Sequence, residues 1–191
     1  MTHKTIHMTK TRRRFLQTGG LTLSAGAVAL LSGQEGLLTP ANVRADTGKQ
    51  DAAILNTALG AELQAIAAYQ VGAESGLLTK PILDVAVGFQ GHHKEHADLL
   101  RETVTTLGAT PVEPQADYGF PLEQLKVEAD VLRFAAGLEK GAVSAYLGAV
   151  PLFANRDLSK AAASILGDEA MHWAILRSVL GEDPVPVAFV E

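Results

Sequence analysis

From Asp46 onward, apolar residues recur every three or four positions and do not alternate with polar ones in the manner of strands. This period predicts an all-α chain. Four helices are expected, near 48–75, 80–107, 121–150 and 157–181, with punctuation at their ends. Pro81 stands in a first turn, Gly76 and Gly108 at likely termini, Asp157 as an N-cap, and Pro121 and Pro151 bracket the third segment. The one long connection, Gly108 to Phe120, contains Pro111, Pro114, Tyr118 and Gly119. At 1.5 Å per residue the second helix is about 42 Å long, and a connection of this size can return along it. Helices 2 and 3 are therefore expected to run parallel, as in a four-helix bundle with a single long crossover.

Self-comparison shows that the two helix pairs are copies. Glu62 with Ala68 and Tyr69 matches Glu139 with Ala145 and Tyr146 at a displacement of 77, and Gly91, His96, Leu100 and Arg101 match Gly167, His172, Leu176 and Arg177 at 76. The polar members, Glu62, His93, His96, Glu139, Glu169 and His172, fall near the middle of their helices and should meet in one layer. Buried carboxylates and imidazoles at mid-bundle cost several kcal/mol unless paired or coordinated. Glu169 and His172 also stand three apart on one helix face, a spacing that suits a shared metal ion. The alternative is that the glutamates pair with Lys or Arg and the histidines are satisfied core or surface groups. The sequence around Glu62 (Leu59-Gly60-Ala61) and Glu139 (Ala136-Gly137-Leu138) is small and apolar, which favours the metal reading and would let helices approach an ion closely.

On helix 2 two registers remain open. The repeat selects His93 with His96, whereas His92 with His96 is also compatible with helical spacing. Glu95 points about 200° away from His93 on the helical wheel and is a poor substitute. Tyr69 and Tyr146 lie seven residues after Glu62 and Glu139, on the same faces. They serve either as donors or redox neighbours of the site or, more commonly for this residue, as amphipathic core tyrosines.

The chain has no cysteine, which excludes thiolate chemistry, disulfides and iron–sulfur clusters and leaves His, Asp and Glu as ligands. Its length of 191 residues suits one domain with a real core. Near the N-terminus, Thr11-Arg12-Arg13-Arg14-Phe15-Leu16-Gln17 resembles the twin-arginine export motif, and an uncharged apolar run from Gly19 to Gly33 follows it. The run is short for a bilayer crossing at about 20 residues, and Val43-Arg44-Ala45 offers small residues for cleavage before Asp46. The expected division is a leader over 1–45 and a domain over 46–191, the latter exported to the periplasm or beyond with no stable membrane insertion after cleavage. An uncleaved N-terminal anchor is the alternative. Of the chain's 16 Lys and Arg and 21 Asp and Glu, the leader takes Lys4, Lys10, Arg12, Arg13, Arg14 and Arg44 but only one acid, Glu35. The remainder is markedly acidic and has no basic patch, which argues against nucleic acid and anionic lipid as partners.

With these ligands in place, the sequence resembles the ferritin-like superfamily, in which two helices each give a Glu and two each give Glu-x-x-His to a di-iron or di-manganese centre. The likeness extends to exported, desiccation-related members through Ser144-Ala145-Tyr146, Asp168-Glu169 and the tail from Gly181 to Phe189. It implies a ferritin-like four-helix bundle with Glu62 and Glu139 as terminal carboxylates, His96 and His172 as nitrogen ligands, and Glu169 as a bridge. His93 stands where the family has its second bridging glutamate. Three carboxylates and three imidazoles leave two divalent ions more positive than four carboxylates would, which favours lower oxidation states or weakens the second ion. One or two ions are expected, with Fe and Mn as candidates and Zn as a third. The implied activity is oxidation of the metal or handling of peroxide. A non-enzymatic stress or structural bundle, and a homo-oligomeric storage shell, are the rival readings.

Overall fold

The computed structural model describes residues 40–190. The twin-arginine motif and the apolar run lie outside the described residues. Four α-helices make up the described part: α1, Pro40–Glu74; α2, Lys80–Thr106; α3, Glu128–Ala149; and α4, Arg156–Val179. No described helix is long and apolar enough to cross a membrane.

Three boundaries differ from the expected ones. α1 begins at Pro40, earlier than position 48, with proline in the first turn where its missing N–H costs nothing. The Val43-Arg44-Ala45 stretch therefore falls in the opening turns of this helix. α3 begins at Glu128 rather than 121. Pro121 leads instead into a short 3-10 turn, Leu122–Gln124, and Asp130 then accepts the N–H groups of Lys126 and Val127 at 3.1 Å each, which starts the helix seven residues later. α4 is capped by Asn155, whose side chain accepts from the Asp157 N–H at 2.9 Å. Asp157 instead lies in the first turn, where its charge favours the helix N-terminus.

Side-chain contacts give the helix directions. Glu62 of α1 meets His93 of α2, while Gln90, earlier on α2, bonds the Ile66 carbonyl and Gln70, later on α1. α1 and α2 are thus antiparallel. Tyr69 bonds Glu139 and Tyr146 bonds Glu62, so α1 and α3 are antiparallel as well, and α2 and α3 run parallel. The connection after α2 makes this possible, and Asn56 of α1 pins it through the Thr110 carbonyl at 2.8 Å and the Val112 N–H at 2.9 Å. Its far end packs Phe120 edge-on to Phe134 of α3.

The core has two apolar halves. Leu55, Leu59, Leu63, Leu100, Val104 and Ile165 belong to one half, and Tyr69, Phe89, Leu132, Ala136 and Leu176 to the other. Between them lies a buried polar layer.

Candidate metal centre

Each helix delivers its part of that layer from mid-span: Glu62 from α1, His93 and His96 from α2, Glu139 from α3, Glu169 and His172 from α4. Glu62, His93, Glu139, Glu169 and His172 are all buried to within 2% of full enclosure, and His96 is 14% exposed. The six fall into two overlapping groups able to surround an ion, Glu62–His93–His96–Glu169 and His93–Glu139–Glu169–His172, with the ligand atoms in each group within 4.8 Å of one another.

His93 and Glu169 belong to both groups, and each turns one atom to each. His93 places Nδ1 at 2.8 Å from Glu62 Oε2 and Nε2 at 3.3 Å from Glu139 Oε1. Glu169 places Oε1 at 3.1 Å from His96 Nδ1 and Oε2 at 3.9 Å from His172 Nδ1. The helix 2 pair that meets the buried carboxylates is thus His93 with His96. His92 is half exposed and lies at the seam between α2 and α4.

Five of the ligand atoms are buried without a hydrogen-bond partner: His96 Nδ1, Glu139 Oε2, both oxygens of Glu169, and His172 Nδ1. His96 Nδ1 and Glu169 Oε1 lie 3.1 Å apart, so the unpaired atoms sit close enough to share one ion. Buried polar atoms are ordinarily paired, and a convergence of unpaired acceptors is the donor set that a divalent cation completes. The residues therefore fit a metal.

The electrostatics follow from crowding. Burial would lower the affinity of His93 and His96 for a proton, but the carboxylates around them outweigh it. Glu139 and Glu62 push His93 up to about 10, and Glu169 and Glu62 push His96 up to about 9. Burial would likewise raise Glu62, yet the His93 and His96 imidazoles hold it below the usual range. Glu139 is also held low against burial, by His172 and His93. Glu169 is the exception, raised to about 8 by burial and then by Glu139, despite the opposing pull of His96. Binding a cation would remove the reason for these protons.

The tyrosines are site residues rather than plain core. Tyr69 O–H donates to Glu139 Oε1, and Tyr146 O–H donates to Glu62 Oε1 at 2.5 Å. Each reaches the glutamate on the opposite copy of the repeat, not the one on its own helix. Burial and the adjacent carboxylate drive both phenols well above their ordinary range, which keeps them as donors. Asp168 escapes the sequence reading as a site residue. Its Oδ2 lies 3.4 Å from His96 Nε2 and 3.3 Å from His172 Nε2, the outward nitrogens of both rings, and it orients them. The repeat could have found it, because a displacement of 76 maps Asp168 onto His92. The glycines near the glutamates do not line the centre. Gly60 faces Val112 of the crossover at 3.9 Å and Gly137 faces open space; the tight approach is at Gly72, where an added Cβ would lie 3.1 Å from Val131.

Residues 50–182 match the ferritin-like domain family. The chain belongs to that family. This ferritin-like protein is similar in structure to a conserved hypothetical protein of Mycobacterium tuberculosis, with a TM-score of 0.65 and 25% identity over 75% of this chain and 99% of the other. A ferritin-like, diiron-carboxylate protein of Bacillus anthracis shares the fold at a TM-score of 0.60 and 21% identity, over 70% of this chain and 97% of the other. No curated protein matches the chain.

Proposed function

We propose that this is an exported ferritin-like protein that holds one or two first-row metal ions between its four helices, and that it oxidises the metal or handles peroxide there. Iron and manganese are the leading candidates, with zinc as a third. The observation that carries the reading is the set of five unpaired, buried ligand atoms that converge from three helices. Glu62, His96 and Glu169 Oε1 would hold one ion and Glu139, His172 and Glu169 Oε2 the second, while His93 would serve one of the two through whichever nitrogen carries its lone pair. A bound redox metal would supply electrons to dioxygen or peroxide.

The chain's own groups prepare that chemistry. Tyr146 and Tyr69 hold the terminal carboxylates by one oxygen each, which leaves Glu139 Oε2 unpaired and turns Glu62 Oε2 toward His93 Nδ1. Glu169 keeps both oxygens unpaired, so it can serve two positions at once. The apolar halves above and below exclude bulk water and strengthen every charge interaction in the layer. The three-carboxylate, three-imidazole count favours lower oxidation states than a four-carboxylate centre would.

The test is elemental analysis of protein expressed with several metals supplied, followed by absorbance after peroxide. One or two ions per chain whose spectrum changes with peroxide supports the proposal. A redox-silent ion needed for folding would replace it with a structural role, and a metal-free protein whose stability ignores added metal would overturn it. Export is tested by fractionation of the Arg12→Lys, Arg13→Lys double variant, since a receptor that reads guanidinium pairs is not satisfied by lysine. Retention in the cytoplasm is expected, and continued export would refute the route.

A further inference from the structure

Outside the buried centre, three ligand-bearing side chains meet at the seam between α2 and α4. His92 Nδ1 lies 2.9 Å from His172 Nε2 and 3.1 Å from Asp168 Oδ2, and Asp168 Oδ2 lies 3.3 Å from His172 Nε2. Together they form a third group able to surround an ion. We propose that this is an outer cation position, occupied by a divalent ion on its way into the buried centre. The proposal rests on the reading of that centre as a metal site.

Four observations support it. Exposure falls inward along the group: His92 is half exposed, Asp168 is 22% exposed, and His172 is enclosed. The ligands therefore form a path from solvent to the core. The ligand atoms of the group also converge, lying within 4.8 Å of one another. Third, His92 and Asp168 are equivalent positions of the internal repeat, so the same pseudo-symmetry that gathers the inner ligands sets these two face to face. Fourth, the ring of His172 belongs to both places, with Nε2 in the outer group and the unpaired Nδ1 in the inner one.

That shared ring dictates the order of events. A neutral imidazole has one lone pair and one N–H. When His172 gives its lone pair outward through Nε2, Nδ1 carries the proton and faces Glu139, 3.6 Å away. When it gives the lone pair inward through Nδ1, Nε2–H faces Asp168 and the outer group loses a ligand. The outer position and the inner ion at His172 are therefore mutually exclusive, and filling the centre empties the outer group. An ordinary surface His–Asp pair would have no such connection to the core.

The test mixes metal-free full-length protein rapidly with Co(II), whose visible absorption reports its ligands, and compares wild type with His92→Gln and His92→Ala. Both variants should fill the buried centre about tenfold more slowly, the usual scale for losing a supporting group around a metal. They should also lose any early spectral phase and reach the same final stoichiometry and spectrum as wild type. Equal rates in wild type and both variants would overturn the outer position while leaving the buried centre intact. A further ion retained by wild type at saturation and lost in the variants would overturn the hand-over. If wild type takes up no Co(II), zinc or iron(II) at all, the metal reading of the centre falls, and the outer position falls with it.

Discussion

Replacing Glu169 by Gln separates what this side chain does for metal from what it costs the metal-free fold. The carboxyl is fully buried, both its oxygens are unpaired, and its pKa is raised from 4.5 to about 8. At pH 7 the folded protein must keep a proton on a group that the unfolded chain would release. At about 1.4 kcal/mol per pH unit, this costs roughly 3 kcal/mol. An amide keeps the size of the protonated acid and, like it, can donate toward Glu139, but it does not titrate. Because the folded pKa is raised, the penalty is small near pH 4.5, grows with pH, and levels off above about 8. Glu169→Gln should therefore stabilise metal-free protein by under about 1 kcal/mol at pH 5, roughly 3 at pH 7 and roughly 5 at pH 9. For a domain of this size the pH 7 value corresponds to a rise of about 6 to 12 °C in Tm. With metal the order reverses, because the variant has lost the carboxylate that faces both ligand groups, and added metal should no longer raise its Tm. Calorimetry of metal-free and metal-supplemented protein at the three pH values is the assay. A metal-free variant that melts at or below wild type at pH 7 would refute the reasoning.

Tyr146→Phe removes the donor to Glu62 and should cost about 1.5–3 kcal/mol, the range for a hydrogen bond to a charged group. It should also weaken metal binding about tenfold, and thermal melts with a metal titration read both effects. Metal-free protein should be most stable between about pH 4.5 and 6.5. The raised His93 and His96 contribute stability that is complete below 6.5 and lost as pH climbs through about 9 and 10. The lowered Glu62 and Glu139 contribute stability that is present above 4.5 and lost as pH falls through their folded values. A Tm that climbs steadily from pH 6 to 9 would contradict this pairing. Asp51, buried, accepts the Ala154 and Asn155 N–H groups at 2.9 and 3.0 Å with its two oxygens. Asp51→Asn leaves one of them without an acceptor and should lower the stability by about 1–3 kcal/mol, read as a lower denaturant midpoint with an unchanged slope.

Much of the architecture is written in local periodicity. The three- and four-residue recurrence of apolar positions marks helices, and a 76- to 77-residue displacement is visible without coordinates because repeated helix pairs preserve linear spacing. That displacement singles out Glu62, His93, His96, Glu139, Glu169 and His172, the same six side chains that the structure gathers in one buried layer. The start of α3 was not legible, because Pro121 suits a helical first turn equally well whether a helix or a 3-10 turn follows. It is Asp130, by accepting two N–H groups, that sets the helix start later.

What happens between helices is a different kind of information. That Tyr69 serves Glu139, and Tyr146 serves Glu62, depends on the antiparallel packing of α1 against α3, which no spacing along either helix encodes. Which nitrogen of each histidine faces inward, and the gathering of three imidazoles around Asp168, depend on how closely α2 and α4 approach across their seam. Helical periodicity specifies the face on which a side chain lies, and the packing of neighbouring helices specifies what that face meets.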